Sequence, residues 1–438
     1  MSRLTGWYSD MRTVRLSEMS ERERQAILSR ADADLTSAVR AAKRIIEDVR
    51  VGGDDALARY ARELDGWTGD QLTLDRAEIR KALDAVPSEL LRALRLSARR
   101  IRAFHSRQVL KGFEFRDEFG LYGQRVVPLD RVGVYVPGGT AAYMSTVLMA
   151  CIPASIAGVR EIAMFTPGRA GQVPPGVLAA AEICGVEEVH PVGGAHAIAA
   201  MTYGTESLRR VQKIVGPGGA FVAAAKMLVR NDCEIDSVAG PSEVLILADS
   251  SASAELIAAD MLAQLEHDPL ATAVLVSTSD RVLESARRAL QRKIPQAPRS
   301  RIIRSSASRN ALFISADTLR EAVDFANEYA PEHLLIDVKD PRKLLPSVRS
   351  AGSVFLGPLS SVAFGDYCSG TNHILPTKGT ARMRSGLSVY DFLKVIPYQQ
   401  ISPRGAAELS KAVEVMARAE GLPGHAEAAV MRSRRISG

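Results

Sequence analysis

Cysteine is scarce: Cys151, Cys184, Cys233 and Cys368 are the only four in 438 residues, and none belongs to a C-x-x-C pair. This spacing excludes a disulfide scaffold and a cysteine zinc knuckle, leaving buried free thiols as the simpler expectation. Long apolar runs are missing as well. No window offers the ~20 uninterrupted apolar residues of a membrane span, and the start MSRLTGWYSDMRTVRLSEMSERERQ is too polar for a secretory segment. The expectation is a cytoplasmic protein with no membrane partner. Basic and acidic residues, 56 and 50, are scattered without a lysine-rich tail or a basic stripe interleaved with aromatics. A net charge of +6 spread in this way gives no case for nucleic acid as a partner. Internal repeats and low-complexity linkers are absent, as are G-x-G-x-x-G after a strand and the P-loop fingerprint, so a nucleotide would have to bind in some other manner.

What is present reads as a folded enzyme. Hydrophobic residues make up 46% and charged residues 24%, near the globular norm, and 438 residues imply more than one structural unit. From about Ser20 to Ser106 apolar residues recur at helical spacing, as in Ala38, Val39, Ala42, Ile45, Ile46 and Val49. After Gly123 come short β-rich runs that end in Gly or Pro turns: 131–139, 161–168, 186–194 and 213–219. The same texture resumes at 242–249, 272–278, 311–317, 333–338 and 353–357. Strands alternating with helices predict parallel pairing through right-handed crossovers. The fold class is therefore α/β, with two Rossmann-like parallel-sheet domains and small helical segments at each end. We assign 1–30 to an N-terminal helical segment, 31–134 with 243–386 to one α/β domain, 135–242 to the second, and 387–438 to a C-terminal helical segment. Strands are expected to fade beyond about Ser385, where Ser402-Pro403 offers an N-cap with an N1 proline and Gly421 a helix stop.

Candidate chemistry sits at the ends of these elements. The glycine turns at Pro137-Gly138-Gly139, Gly193-Gly194 and Gly216-Pro217-Gly218-Gly219 follow strands and could offer backbone N–H groups to a pyrophosphate, though ordinary tight turns explain each one alone. Four of seven histidines fall in polar contexts of the second half: His267, His333, His373 and His425. Gln264 and His267, three apart at a helix end closed by Pro269, could supply half of a zinc site. Asp366 lies in the loop FGDYCSGTNH, which could carry a carboxylate to a neighbouring helix end, with a capping turn as the plainer reading. Glu332-His333 precedes the apolar run HLLIDV and should stand at the mouth of a sheet, where acid–base chemistry is common; a surface Glu-His pair is the alternative.

The stretches VGVYVPGGTAAYMSTVLM, AGPSEVLILAD, LAQLEHDP, APEHL, AGSVFLG, GDYCSGTNHILPT and ARAEGLPGH occur in the order found in histidinol dehydrogenases, which the chain resembles from roughly Val39 to His425. The resemblance implies zinc bound by Gln264, His267, Asp366 and His425, the last supplied by the partner in a domain-swapped homodimer. It implies Glu332 and His333 as the catalytic pair. Substrate contacts would come from Ser242, Gln264, His267, His333, Asp366, His373, Glu420 and His425. Cofactor contacts would come from Tyr135 and from positions 196 and 219. The implied reaction takes L-histidinol through its aldehyde to L-histidine with two NAD. Two cofactor positions depart from the family, since His196 stands for a usual glutamine and Gly219 for a usual asparagine; losing both hydrogen bonds would weaken NAD binding by about 1–3 kcal/mol in total. Another small polar alcohol, such as a sulfonated diol, is an alternative substrate, and a non-catalytic metabolite-binding descendant is a third reading. The retained Glu420 and His373 favour histidinol, because a sulfonate prefers a cation nearby.

Overall fold

The computed structural model describes residues 11–30, 35–138, 142–168 and 170–437. Gly139 of the first glycine turn and the first ten residues of the N-terminal segment lie outside them. Two compact units form, one from the described parts of Met1–Gln108 and Asp130–Asp391, the other from Val109–Leu129 with the described part of Phe392–Gly438.

In the first unit, all nine strands expected after Gly123 are present and all pair in parallel. A six-stranded sheet takes the order Arg12–Arg15, Ala311–Ser315, Thr272–Ser277, Glu243–Ala248, His333–Asp337, Ser353–Leu356. A five-stranded sheet runs Glu188–His190, Glu161–Phe165, Arg131–Tyr135, Lys213–Val215, Glu234–Ile235. Central strands such as Glu243–Ala248 and Arg131–Tyr135 are buried along their whole length, the signature of a parallel sheet covered on both faces. In both sheets the chain lays down three strands in one direction and then crosses back beside the first. Each therefore has a switch point, between Arg131–Tyr135 and Lys213–Val215 in one and between Glu243–Ala248 and His333–Asp337 in the other.

Three features depart from expectation. Arg12–Arg15 adds an edge strand to the six-stranded sheet. The long helix Thr36–Tyr60, assigned with the metal-side domain, buries Ala38, Ala42, Ile45, Ile46 and Val49 against Ile198, Ala200 and Ala224 of the five-stranded unit. Its apolar stripe serves whichever sheet face lacks a cover, and the sequence pattern carries no address. In the second unit Leu393–Ile401 is a nine-residue strand, not a helix. It pairs antiparallel with Gly120–Pro128, which also pairs with Phe113–Arg116. Helices Pro403–Ala419 and Pro423–Ser437 complete that unit, with Ser402 accepting a hydrogen bond from the Gly405 N–H as the expected N-cap.

The third glycine turn is held rigidly. At Gly216, with φ of 116°, a Cβ would lie 2.1 Å from the Tyr135 carbonyl oxygen, so only glycine permits this approach at the switch point. Its N–H donates to Asp236 at 2.7 Å and its carbonyl accepts from Lys226 Nζ at 3.0 Å, while Lys226 and Asp236 form a buried ion pair. Asp236→Ala strands a buried ammonium and frees the turn, with an expected loss of about 3–5 kcal/mol of stability, read from the midpoint of urea unfolding.

Candidate active site

Parallel pairing sets His333 opposite Val244, so Glu332 and Glu243 stand level at the amino ends of adjacent strands. The Glu243 N–H donates to Glu332 Oε2 at 2.8 Å, and the Glu243 carbonyl accepts from His333 Nδ1 at 3.0 Å. A carbonyl can only accept, so Nδ1 carries a proton, and whenever the ring is neutral Nε2 is its free nitrogen. Both side chains are buried, Glu332 at 5% and His333 at 4% exposure, and neither is the surface pair that composition allowed. Nε2 stands 3.5 Å from Asp366 Oδ1, an ion-pair distance without hydrogen-bond alignment. Burial opposes the imidazolium, but the nearby Glu332 and Asp366 carboxylates outweigh it and raise His333 well above the ordinary histidine value. Ser242, just before the strand Glu243–Ala248, is partly buried at the same edge.

Asp366 ends the short helix Val362–Tyr367, and the loop after it folds back so that His373 Nδ1 donates to the Asp366 carbonyl at 2.8 Å. His373 Nε2 then accepts from Thr146 Oγ1 at 3.3 Å, on the helix that follows Tyr135. Burial would push the Asp366 carboxyl up, yet His333, His373 and His267 together hold it below its ordinary value. Gln264 lies in the last turn of the helix Ala254–Leu265, and His267 lies exposed two residues beyond its end. Gln264 is 3% exposed and its amide nitrogen has no hydrogen-bond partner. An orphaned buried amide, an aspartate and a histidine are nitrogen and oxygen donor types of the sort zinc accepts. Among the described residues, no group of three or more His, Cys, Asp or Glu is placed to hold a metal ion. Gln264, His267 and Asp366 thus match zinc in donor chemistry. Glu420, at the C-cap of Pro403–Ala419, and His425, in Pro423–Ser437, belong to the second unit and are exposed there.

At the carboxyl end of the five-stranded sheet, Tyr135 Oη accepts from the Gly194 N–H at 3.1 Å, and burial pushes its hydroxyl up to about 12. Asp65 Oδ2 accepts from the Gly193 N–H at 2.7 Å and from His196 Nε2 at 2.8 Å. His196 is fully buried and stacks on Tyr60 at 5.8 Å. Its Nδ1 has no partner and faces the space a side chain at Gly194 would fill, 3.1 Å away. Gly219 caps the helix Ala220–Val229, and a Cβ there would meet nothing within 4 Å.

Three residues of this site escaped sequence reasoning. Asp65 pins the second glycine turn from 131 positions away from its partner His196, and no local pattern announces it. Glu243, the lone acid opening an apolar strand, did leave a signal, since a charge there needs a partner. That partner is Arg30, which left none.

A histidinol dehydrogenase family model matches residues 28–433. The histidinol dehydrogenase of Methanosarcina barkeri is 45% identical over 417 residues, covering 94% of this chain and 96% of that protein. That of Lactococcus lactis is 43% identical over 394 residues, covering 89% and 91%. The crystal structure of histidinol dehydrogenase from Elizabethkingia anophelis superposes with a TM-score of 0.92 at 34% identity, covering 98% of this chain and 99% of that one. Sequence and fold therefore agree, and the chain belongs to the histidinol dehydrogenase family.

Proposed function

We propose that the chain oxidises L-histidinol to L-histidine in two hydride transfers to NAD, with zinc as the resident metal. The buried Glu332-His333 pair, with its tautomer set by the Glu243 carbonyl, is the observation that carries this reading. When bound, NAD accepts the hydrides and zinc orients the substrate's imidazole and amine. Gln264, His267 and Asp366 would hold the metal with His425, and Tyr135, His196 and Gly219 would face the cofactor.

His333 in its neutral form takes the alcohol proton at Nε2, because Nδ1 is committed to the Glu243 carbonyl. Glu332 already uses Oε2 to accept from the Glu243 N–H, which leaves Oε1 to draw a proton from the water that hydrates the aldehyde. Ser242 stands beside this pair, and His373, fixed by Thr146 and the Asp366 carbonyl, lines the same loop. Glu420 and His425 would reach the substrate from a partner subunit in a homodimer. Exposed apolar side chains of the second unit, among them Val395, Ile396, Val415, Met416 and Met431, support association through this unit.

Absorbance at the nicotinamide band, followed with L-histidinol with and without a chelator, tests the reaction: two NADH per substrate are expected, and no reduction overturns it. His333→Asn is expected to lower turnover by about 10²–10⁴-fold with zinc content intact. Asp366→Asn and His425→Ala should instead lower zinc occupancy, measured by metal analysis after dialysis, and unchanged occupancy would remove them from the ligand set.

The cofactor positions should respond unequally. Gly219→Asn places an amide into open space and is expected to tighten NAD by about 3–10-fold, one net hydrogen bond, in a calorimetric titration. His196→Gln should bring no gain, since it takes the ring donor from Asp65 and the stacking from Tyr60. Equal gains from both would show that the Asp65 contact does not matter to the cofactor.

A further inference from the structure

Arg30 follows the helix Glu21–Ser29, far from the acid–base pair in sequence, yet its side chain is only 7% exposed and ends between the segment that carries that pair and the strand start at Glu243 that holds it. On one side its Nε donates to Glu243 Oε2. On the other, Nη2 donates to the carbonyls of Tyr329 at 2.5 Å and Ala330 at 3.4 Å, while the guanidinium lies 3.8 Å over the Tyr329 ring. The Tyr329 hydroxyl reaches back to the same Glu243 oxygen at 3.4 Å. The helix Leu319–Tyr329 ends here, and Ala330, a non-glycine residue with φ of 50°, turns the chain into Pro331, Glu332 and His333.

Helix carbonyls at a C-terminus lack intrahelical partners and favour a cation, and Glu243 is a carboxylate 2% exposed that needs a counter-charge. One guanidinium serves both demands because it is a planar fork with donors on several edges. Glu243 is also the residue whose N–H and carbonyl hold Glu332 and His333. We propose that Arg30, through Glu243, is a positioning residue that clamps the entrances of the strands Glu243–Ala248 and His333–Asp337 and so fixes the acid–base pair in working geometry. This rests on Glu332 and His333 being that pair. Arg30 acts through Glu243 and the turn at 330.

Substitutions at Arg30 and Glu243 test the clamp through the division between kcat and KM. Arg30→Met is expected to lower kcat by about 10–100-fold with the KM for L-histidinol within about threefold, as for a displaced catalytic group. Glu243→Gln keeps the main-chain contacts and should lose about 5–20-fold in kcat, and Arg30→Lys should recover part of the Arg30→Met loss, because a point charge replaces the fork. The proton on His333 Nδ1 gives a second readout: its downfield NMR resonance, identified by its disappearance in His333→Asn, should move or broaden in all three variants. Unchanged kcat, a loss carried by KM alone, or an unmoved resonance overturns the proposal. If Arg30→Met does not fold, Glu243→Gln and Arg30→Lys decide by the same measures. Retained turnover in Glu332→Gln and His333→Asn would instead overturn the acid–base assignment, while the resonance still reports on the clamp.

Discussion

The register between two parallel strands is the constraint on which the rest of the site depends. Because His333 sits opposite Val244, the peptide groups of Glu243 lie level with the side chains of Glu332 and His333 and engage both of them. Strand side chains alternate faces, so a slip of one residue would turn this pair away from its partners and into the opposite layer. Apolar packing forbids the slip. Leu334, Leu335 and Ile336 pair with Leu245, Ile246 and Leu247 in the core, and a shift would exchange which of them meets which helix layer. The chemistry at the strand ends is thus held in place by residues that do none of it.

The two sheets present opposite edges to this chemistry. In the five-stranded sheet Tyr135, Gly194 and Gly216 lie at carboxyl ends beside the switch point, where ligands of open α/β sheets usually bind. In the six-stranded sheet Glu332 and His333 lie at amino ends, the opposite edge. The loop from Asp366 to His373 connects the two, since His373 meets Thr146 and Asn372 Nδ2 donates to the Met149 carbonyl at 2.7 Å. At the carboxyl edge the N–H groups of Gly193, Gly194 and Gly216 are held by side chains, whereas at the amino edge a carbonyl and an N–H of Glu243 orient two titratable side chains.

The parallel sheets were legible because their strands are buried on both faces and read as continuous apolar runs. Leu393–Ile401 was not: it is mostly exposed, contains Pro397 and lies at the edge of an antiparallel sheet, so neither apolar continuity nor alternation marks it. The same division holds within the site. Glu332-His333 and Asp366 stand where a turn meets a strand or helix, a position visible in one dimension. Asp65, Glu243 and Arg30 derive their roles from partners 89 to 300 positions away, and such pairings are created only when the layers pack. His196 is the mixed case, a lone histidine in an alanine-rich helix whose burial was foreseeable and whose carboxylate partner was not.

Three buried pairs share one physical form. Arg30 with Glu243, Lys226 with Asp236 and His196 with Asp65 are each buried pairs in which one member also binds a main-chain group of a functional turn or strand end. Buried ion pairs add little net stability, because desolvation consumes most of the Coulombic gain. Their value lies in geometry. A hydrophobic substitute could fill the same volume, but it could not hold the N–H of Gly193 or Gly216, or the carbonyls of Tyr329 and Ala330, in a fixed direction. The chain accepts this cost beside its glycine turns and its Glu332-His333 pair, where orientation rather than packing limits what the residues can do.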